Sequence, residues 1–199
     1  MVQTQHPDAN VFRVVGRDCR SRDHAQAGFR TTVDGTVGIV TTLHGVVGCR
    51  EVSAENSSEG VRGLEITRVD VPRDVAFLSS STLRTDRALS HAALPPSMAT
   101  VDALPIRDLV TVDQLAALAD RRSPKPEVFV RHLTGGVRPQ SFGAPVLDPA
   151  GFVVGMENGV TGPSGAVAWV VAFQDLEWTP PVQNETEIDR LAGLTSPLW

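Results

Sequence analysis

A chain of 199 residues, 41% apolar and 21% charged, can bury a substantial core in one large or two small domains, which excludes a disordered tract. The formal net charge of −5 gives no electrostatic footprint for nucleic acid, and no run of Lys and Arg marks a membrane surface. Aromatics make up only 5% and Tyr is absent, so Val, Leu, Ala and Ile must fill the core, and β-branched Val in short runs favours strands.

Residues 1–8 carry no apolar core of the kind a secretion signal needs, and no apolar stretch approaches the roughly 20 residues that span a bilayer. The chain therefore reads as cytoplasmic. Two cysteines, Cys19 and Cys49, are too few for a disulfide framework; reduced thiols are the default, with one Cys19–Cys49 bridge as the open alternative.

Residues 11–15 alternate and read as a first strand, and 16–24 are charged and turn-like. Residues 27–33 form a second strand closed by the Asp34-Gly35 turn signal, and 38–42 a third that runs on through 43–49. Strands at 50–54 and 64–69 flank a loop at 56–60, and 75–78 completes six short strands with the spacing of a small barrel or sandwich. Residues 79–105 are polar and Pro-bearing, as a connection between two units would be. Residues 112–119 put Leu115, Leu118 and Ala119 on one helical face, in competition with a strand entering at 109–111, and Pro124 and Pro126 break whatever precedes them. Residues 128–133 read as a strand, 144–147 and 152–156 as a hairpin, and 166–173 as a last strand apolar enough for burial on both faces. Asn184 and Glu187 ahead of Ile188, Leu191 and Leu194 predict a capped helix that Gly193 stops. The expected organisation is one unit over 10–95, a second over 96–180, and a helical tail over 181–199 that docks back, self-associates or leads into a further domain.

Three stretches carry chemistry, in the order His, Asp, nucleophile. The first is Ile39-Val40-Thr41-Thr42-Leu43-His44-Gly45-Val46-Val47, introduced by Ala27-Gly28-Phe29. The second is Asp74-Val75-Ala76-Phe77-Leu78, and the third is Gly143-Ala144-Pro145-Val146 with Gly151-Phe152-Val153-Val154-Gly155 behind it. Together they resemble the trypsin-like (chymotrypsin-fold) serine peptidases of the bacterial intracellular type, over residues 11–178. The resemblance implies an all-β fold of two six-stranded antiparallel β-barrels, here with a short C-terminal helix, and a site in the cleft between them. It makes His44 the general base and Asp74 the group that orients its imidazole. Asp70 is a rival for the second role, but only Asp74 directly precedes the Val-Ala-Phe-Leu strand.

In the register set by residues 143–146 the nucleophile position holds Phe142, which has no nucleophilic atom. The family's Gly two positions earlier is Gln140, whose Cβ is disfavoured where φ must be positive. Gln140 and Gly143 thus bracket a degenerate oxyanion loop. Ser141 is the alternative nucleophile, at the cost of a one-residue slip that reverses side-chain direction. Ser164 repeats part of the pattern but has no hairpin and closing strand after it, and reads as a turn residue. Met156, Glu157 and Asn158 stand where the family pairs its substrate, so a peptide could add there by backbone hydrogen bonding. Cys19, His24, His44 and Cys49 match no compact zinc spacing, so neither metal nor cofactor is expected. The resemblance thus implies an inactive serine-protease homologue that binds a protein or peptide, with neither nucleic acid nor membrane expected as partner. The alternative is an active endopeptidase using His44, Asp74 and Ser141.

Overall fold

The computed structural model describes residues 7–86, 88–92, 128–132, 142–147, 150–161 and 167–193, and these are mostly β. The first seven strands are β1 (Val11–Cys19), β2 (His24–Val33), β3 (Thr36–Thr42), β4 (Cys49–Glu55), β5 (Gly60–Val61), β6 (Glu65–Asp70) and β7 (Val75–Ser79). They form one curled sheet, a half-barrel, in the order β5-β4-β1-β2-β3-β7-β6. The β2–β3 hairpin turns on Asp34 (φ 46°) and Gly35 (φ 76°), the left-handed pair that a two-residue connection needs to match strand twist. β1 runs further than alternation predicts, because residues 16–19 stay in register with β4 up to the pair Cys19↔Cys49. Those two cysteines are bonded to each other, which overturns the reduced-thiol default. Closing 30 residues of chain restricts the unfolded state by about 4 kcal/mol.

Strands β8 (Val128–His132), β9 (Pro145–Leu147), β10 (Val153–Thr161) and β11 (Val167–Ala172) form a second sheet in the order β8-β11-β10-β9. The described residues therefore make a seven-stranded half-barrel and a four-stranded sheet, where two closed six-stranded barrels were expected. Segment 88–92 stitches the sheets together: Leu89 N–H donates to Arg30 O (3.0 Å), and Val153 N–H to Ser90 O (2.9 Å). Strands β3 and β7 send apolar side chains to both faces, and this creates two cores. Ile39, Leu43, Ala76 and Leu78 pack inside the half-barrel with Phe12 and Val14. Phe29, Val40 and Phe77 point the other way, onto Val153, Met156 and Val171 of the second sheet.

After β11 the chain returns to the half-barrel. Val69 and Thr179 exchange both backbone hydrogen bonds (2.9 and 2.8 Å), which extends the sheet beyond β6. Helix α1 (Glu185–Ala192) then starts at Asn184, whose side chain accepts from Glu187 N–H (3.1 Å) as the capping pattern predicts. Its Leu191 and Ala192 are buried in the half-barrel core with Ile188 against it, and Arg20 pairs with Glu185 and Asp189. Through Ile188, Leu191 and Ala192 the described part of the tail thus docks back on the half-barrel. The helix-or-strand alternative at 109–119 lies outside the described residues. No helix among the described residues is long and apolar enough to cross a membrane.

Candidate functional site

β3 delivers His44 at its end, and the β6–β7 turn delivers Asp74 beside it. Val46 and Val47 N–H both bond back to Leu43 O (3.0 and 2.9 Å), and their buried side chains pin the turn that begins at His44. Across from it, Asp74 N–H donates to Val71 O (3.1 Å) and Leu43 N–H donates to Asp74 O (2.9 Å). Asp74 takes a left-handed conformation (φ 56°) that Asp tolerates better than most residues. Its carboxylate then meets His44 twice: Oδ1 accepts the backbone N–H (2.8 Å) and Oδ2 lies 2.5 Å from Nδ1. A carboxylate at that nitrogen fixes the proton on Nδ1 and leaves the Nε2 lone pair as a proton acceptor.

Asp70, the rival carboxylate, is buried away from the imidazole. It accepts from Arg73 N–H (3.0 Å), Arg73 Nη1 (3.1 Å) and Glu177 N–H (2.8 Å). It therefore clasps the Asp74 turn to the chain returning from β11. Asn158 Nδ2 donates to Arg73 O and ties the same turn to β10. On the His44 side, buried Gln26 donates to Thr41 Oγ1 (2.8 Å) and Thr42 O (2.9 Å), and accepts from Thr42 Oγ1 (2.5 Å). Sequence reasoning missed Gln26 and the clasping role of Asp70. The available signal for Gln26 was a polar residue inside an apolar strand next to the Ala-Gly-Phe motif, since such a group must find partners when buried.

The third stretch is held between β2 and β10 through its backbone. Phe142 O accepts from Ala27 N–H (2.8 Å), Gly143 N–H donates to Glu157 O (2.7 Å), and Glu157 N–H to Ala144 O (2.9 Å). Gly143 (φ 90°) lies so close to β2 that a Cβ there would fall 2.0 Å from Ala27 O and 2.9 Å from Thr41 Oγ1. Residues 142 and 143 thus rest on the β2–β3 pair just before it ends in His44. Phe142 itself is buried, at 3% exposure. Gln140, Ser141 and Ser164 lie outside the described residues.

Met156, Glu157 and Asn158 are buried. Met156 pairs with Val171 on one flank and Pro145 on the other, and Glu157 with Val170 and the 143–144 backbone. Among the described residues, β10 has no strand on its second flank only from Asn158 to Thr161.

His24 also belongs to this corner, with its ring 6.3 Å from that of His44 and edge-on to it. Cys19, His24, His44 and Cys49 do gather at one end of the sheet, but the sulfurs are bonded to each other, and no three His, Cys, Asp or Glu among the described residues could hold a metal. Burial pushes the His24 imidazole below its ordinary 6.5; His44 and Arg22 add to this and Asp23 opposes it. The folded chain thus resists a proton that the unfolded chain accepts, and stability falls as pH drops through 6.5 towards the lowered value. Denaturant melts from about pH 7 to about pH 5 should show a steeper loss for the native chain than for His24→Gln. Parallel pH profiles would count against this.

No protein-family model and no curated protein matches the chain. Solved structures do. The Rv3671c protease of M. tuberculosis in its active form superposes with a TM-score of 0.64 at 17% identity, over 88% of this chain and 84% of that one. Its inactive form gives 0.60 at 18%, over 85% and 86%. The HtrA-type protease AlgW, solved with a tripeptide, gives 0.56 at 12%, over 85% of this chain and 57% of that one. At these identities the likeness shows the fold, and the structural neighbours are chymotrypsin-fold serine proteases of HtrA and trypsin-like type.

Proposed function

We propose that the chain is a serine-protease homologue that has lost hydrolysis and acts as a protein- or peptide-binding module. One observation carries this reading. The residue whose carbonyl is bonded to Ala27 N–H, on the strand pair leading to His44, is Phe142. His44 can take a proton at Nε2, but a phenyl ring has none to give and no lone pair with which to attack a carbonyl. The retained His44–Asp74 contact then holds two turns together instead of driving a nucleophile. A peptide would add as a strand along Asn158–Thr161, where no strand among the described residues covers the flank of β10, one step beyond the expected Met156–Asn158 segment. AlgW with its tripeptide supports a peptide as the class of ligand, by analogy of fold.

Labelling with a fluorophosphonate probe tests the loss of hydrolysis. The native chain is expected to remain unlabelled. An adduct at Ser141, abolished by His44→Ala, would establish the active endopeptidase instead.

A further inference from the structure

We propose that the seam between β4 and β6 is a second peptide site, which takes an acidic segment of a partner protein as an added strand along residues 50–52. It is separate from the β10 flank and stands whether or not that flank binds.

The site begins in the backbone. Alternate residues of an antiparallel strand direct both their N–H and their C=O to the same neighbour. Val52 O accepts from Leu64 N–H (3.0 Å), so the backbone groups of Val52, and of Arg50 two residues before it, point away from β1. Beyond Leu64 the chain turns off into β6 and pairs with β7, from Glu65↔Ser79 onward, while β5 covers β4 only at Ala54 and Glu55. Among the described residues, no strand therefore meets the Val52 N–H, the Arg50 N–H or the Arg50 C=O. Such a row is a template for one more strand. A groove of about 800 Å³ lies along it, between residues 50–55 and 60–65. That volume falls in the range of about 300–1,000 Å³ that holds drug-sized ligands.

Side chains decide which strand can enter. Arg17, Arg50 and Arg62 line the groove, all exposed, and none has an ion-pair partner among the described residues. Against these three stand Glu51 and Glu65, because Glu55 is already tied to Arg13 (3.1 Å). Along β4, Arg50 shares a face with Val52 and Ala54 of the half-barrel core, and Glu51 and Ser53 take the opposite face. An added strand thus meets the Arg50 guanidinium beside apolar Val52 on one side. A guanidinium takes a carboxylate through two parallel N–H···O bonds and repels a basic strand. The formal net charge of −5 repels acidic segments from the rest of the chain, so a cationic seam selects the place as well as the partner.

Fluorescence anisotropy of a fluorescein-labelled pentapeptide that alternates Val and Glu, titrated with the full chain, tests the site. The peptide is expected to bind, and Arg50→Gln and Arg62→Gln should each weaken it about tenfold, as loss of a charge-assisted bond does. A counterpart with Gln for Glu, and one N-methylated on its backbone amides, should each bind at least about tenfold less well. In NMR exchange measurements the Arg50 and Val52 amides should exchange with solvent faster than those of Glu51 and Ser53, which point to β1, until the acidic peptide protects them. Absence of binding overturns the proposal, as does equal binding of the Gln or the N-methylated peptide. Unchanged affinity in both arginine variants, with dispersed amide spectra showing that they are folded, also overturns it. Protection confined to residues 158–161 overturns this site and leaves the β10 reading standing.

Discussion

Replacing Phe142 with Ser and Gln140 with Gly together is expected to produce a chain that a fluorophosphonate labels at position 142. Adding His44→Ala should slow that labelling on the order of 10³-fold or more. The first substitution supplies the hydroxyl, placed by the bond from Ala27 N–H to the residue 142 carbonyl. The second removes a Cβ from the position where the family keeps glycine. Phe142→Ser alone should stay silent, because a hydroxyl without oyanion donors gains little. Emptying a site buried at 3% exposure costs about 3–5 kcal/mol, so thermal melts must accompany the labelling. A folded double variant that remains unlabelled would mean that the cleft has departed from protease geometry elsewhere. Labelling indifferent to His44→Ala would remove His44 from the chemistry.

Gly143→Ala should be strongly destabilising. The residue combines φ 90° with a Cβ position 2.0 Å from Ala27 O, so the change adds a backbone clash to left-handed strain. A loss of about 3 kcal/mol or more is expected, with the bonds from Ala27 N–H to residue 142 and from residue 143 to Glu157 broken. Gly35→Ala is the natural comparison. Its φ is 76°, yet nothing lies within 4 Å of its Cβ position, so it should lose only about 1 kcal/mol. Denaturant melts measure the difference, and equal losses would show that the close approach to β2 is not what demands glycine.

That His44 and Asp74 come together was legible because their signals are local. His44 ends an apolar strand, Asp74 precedes another, and Asp34-Gly35 needs only its own backbone conformations to be recognised. What escaped depends on pairings between distant segments. Cys19 and Cys49 become opposite numbers only once β1 is laid against β4, which no spacing rule supplies. Asp74 was preferred to Asp70 in the sequence by its place before a strand, but the role of Asp70 shows only when Glu177 N–H arrives from the far end of the chain to claim it. The substrate-pairing expectation fell on Met156–Asn158 because the motif has no way to display that the 143–144 backbone already occupies the flank of Glu157.

The return of the chain after β11 bears on how the protein is made. Residues 177 and 179 complete contacts with β6, and Leu191 and Ala192 fill the core of a half-barrel whose first strand begins at Val11. A ribosome therefore releases the first seven strands long before the groups that cover them. The nascent half-barrel waits with apolar surface exposed, and the usual order in which an N-terminal unit finishes folding first is unavailable to it. Contacts of such long sequence separation also slow folding, which makes the interval before residue 192 emerges the period when a chaperone has most to protect.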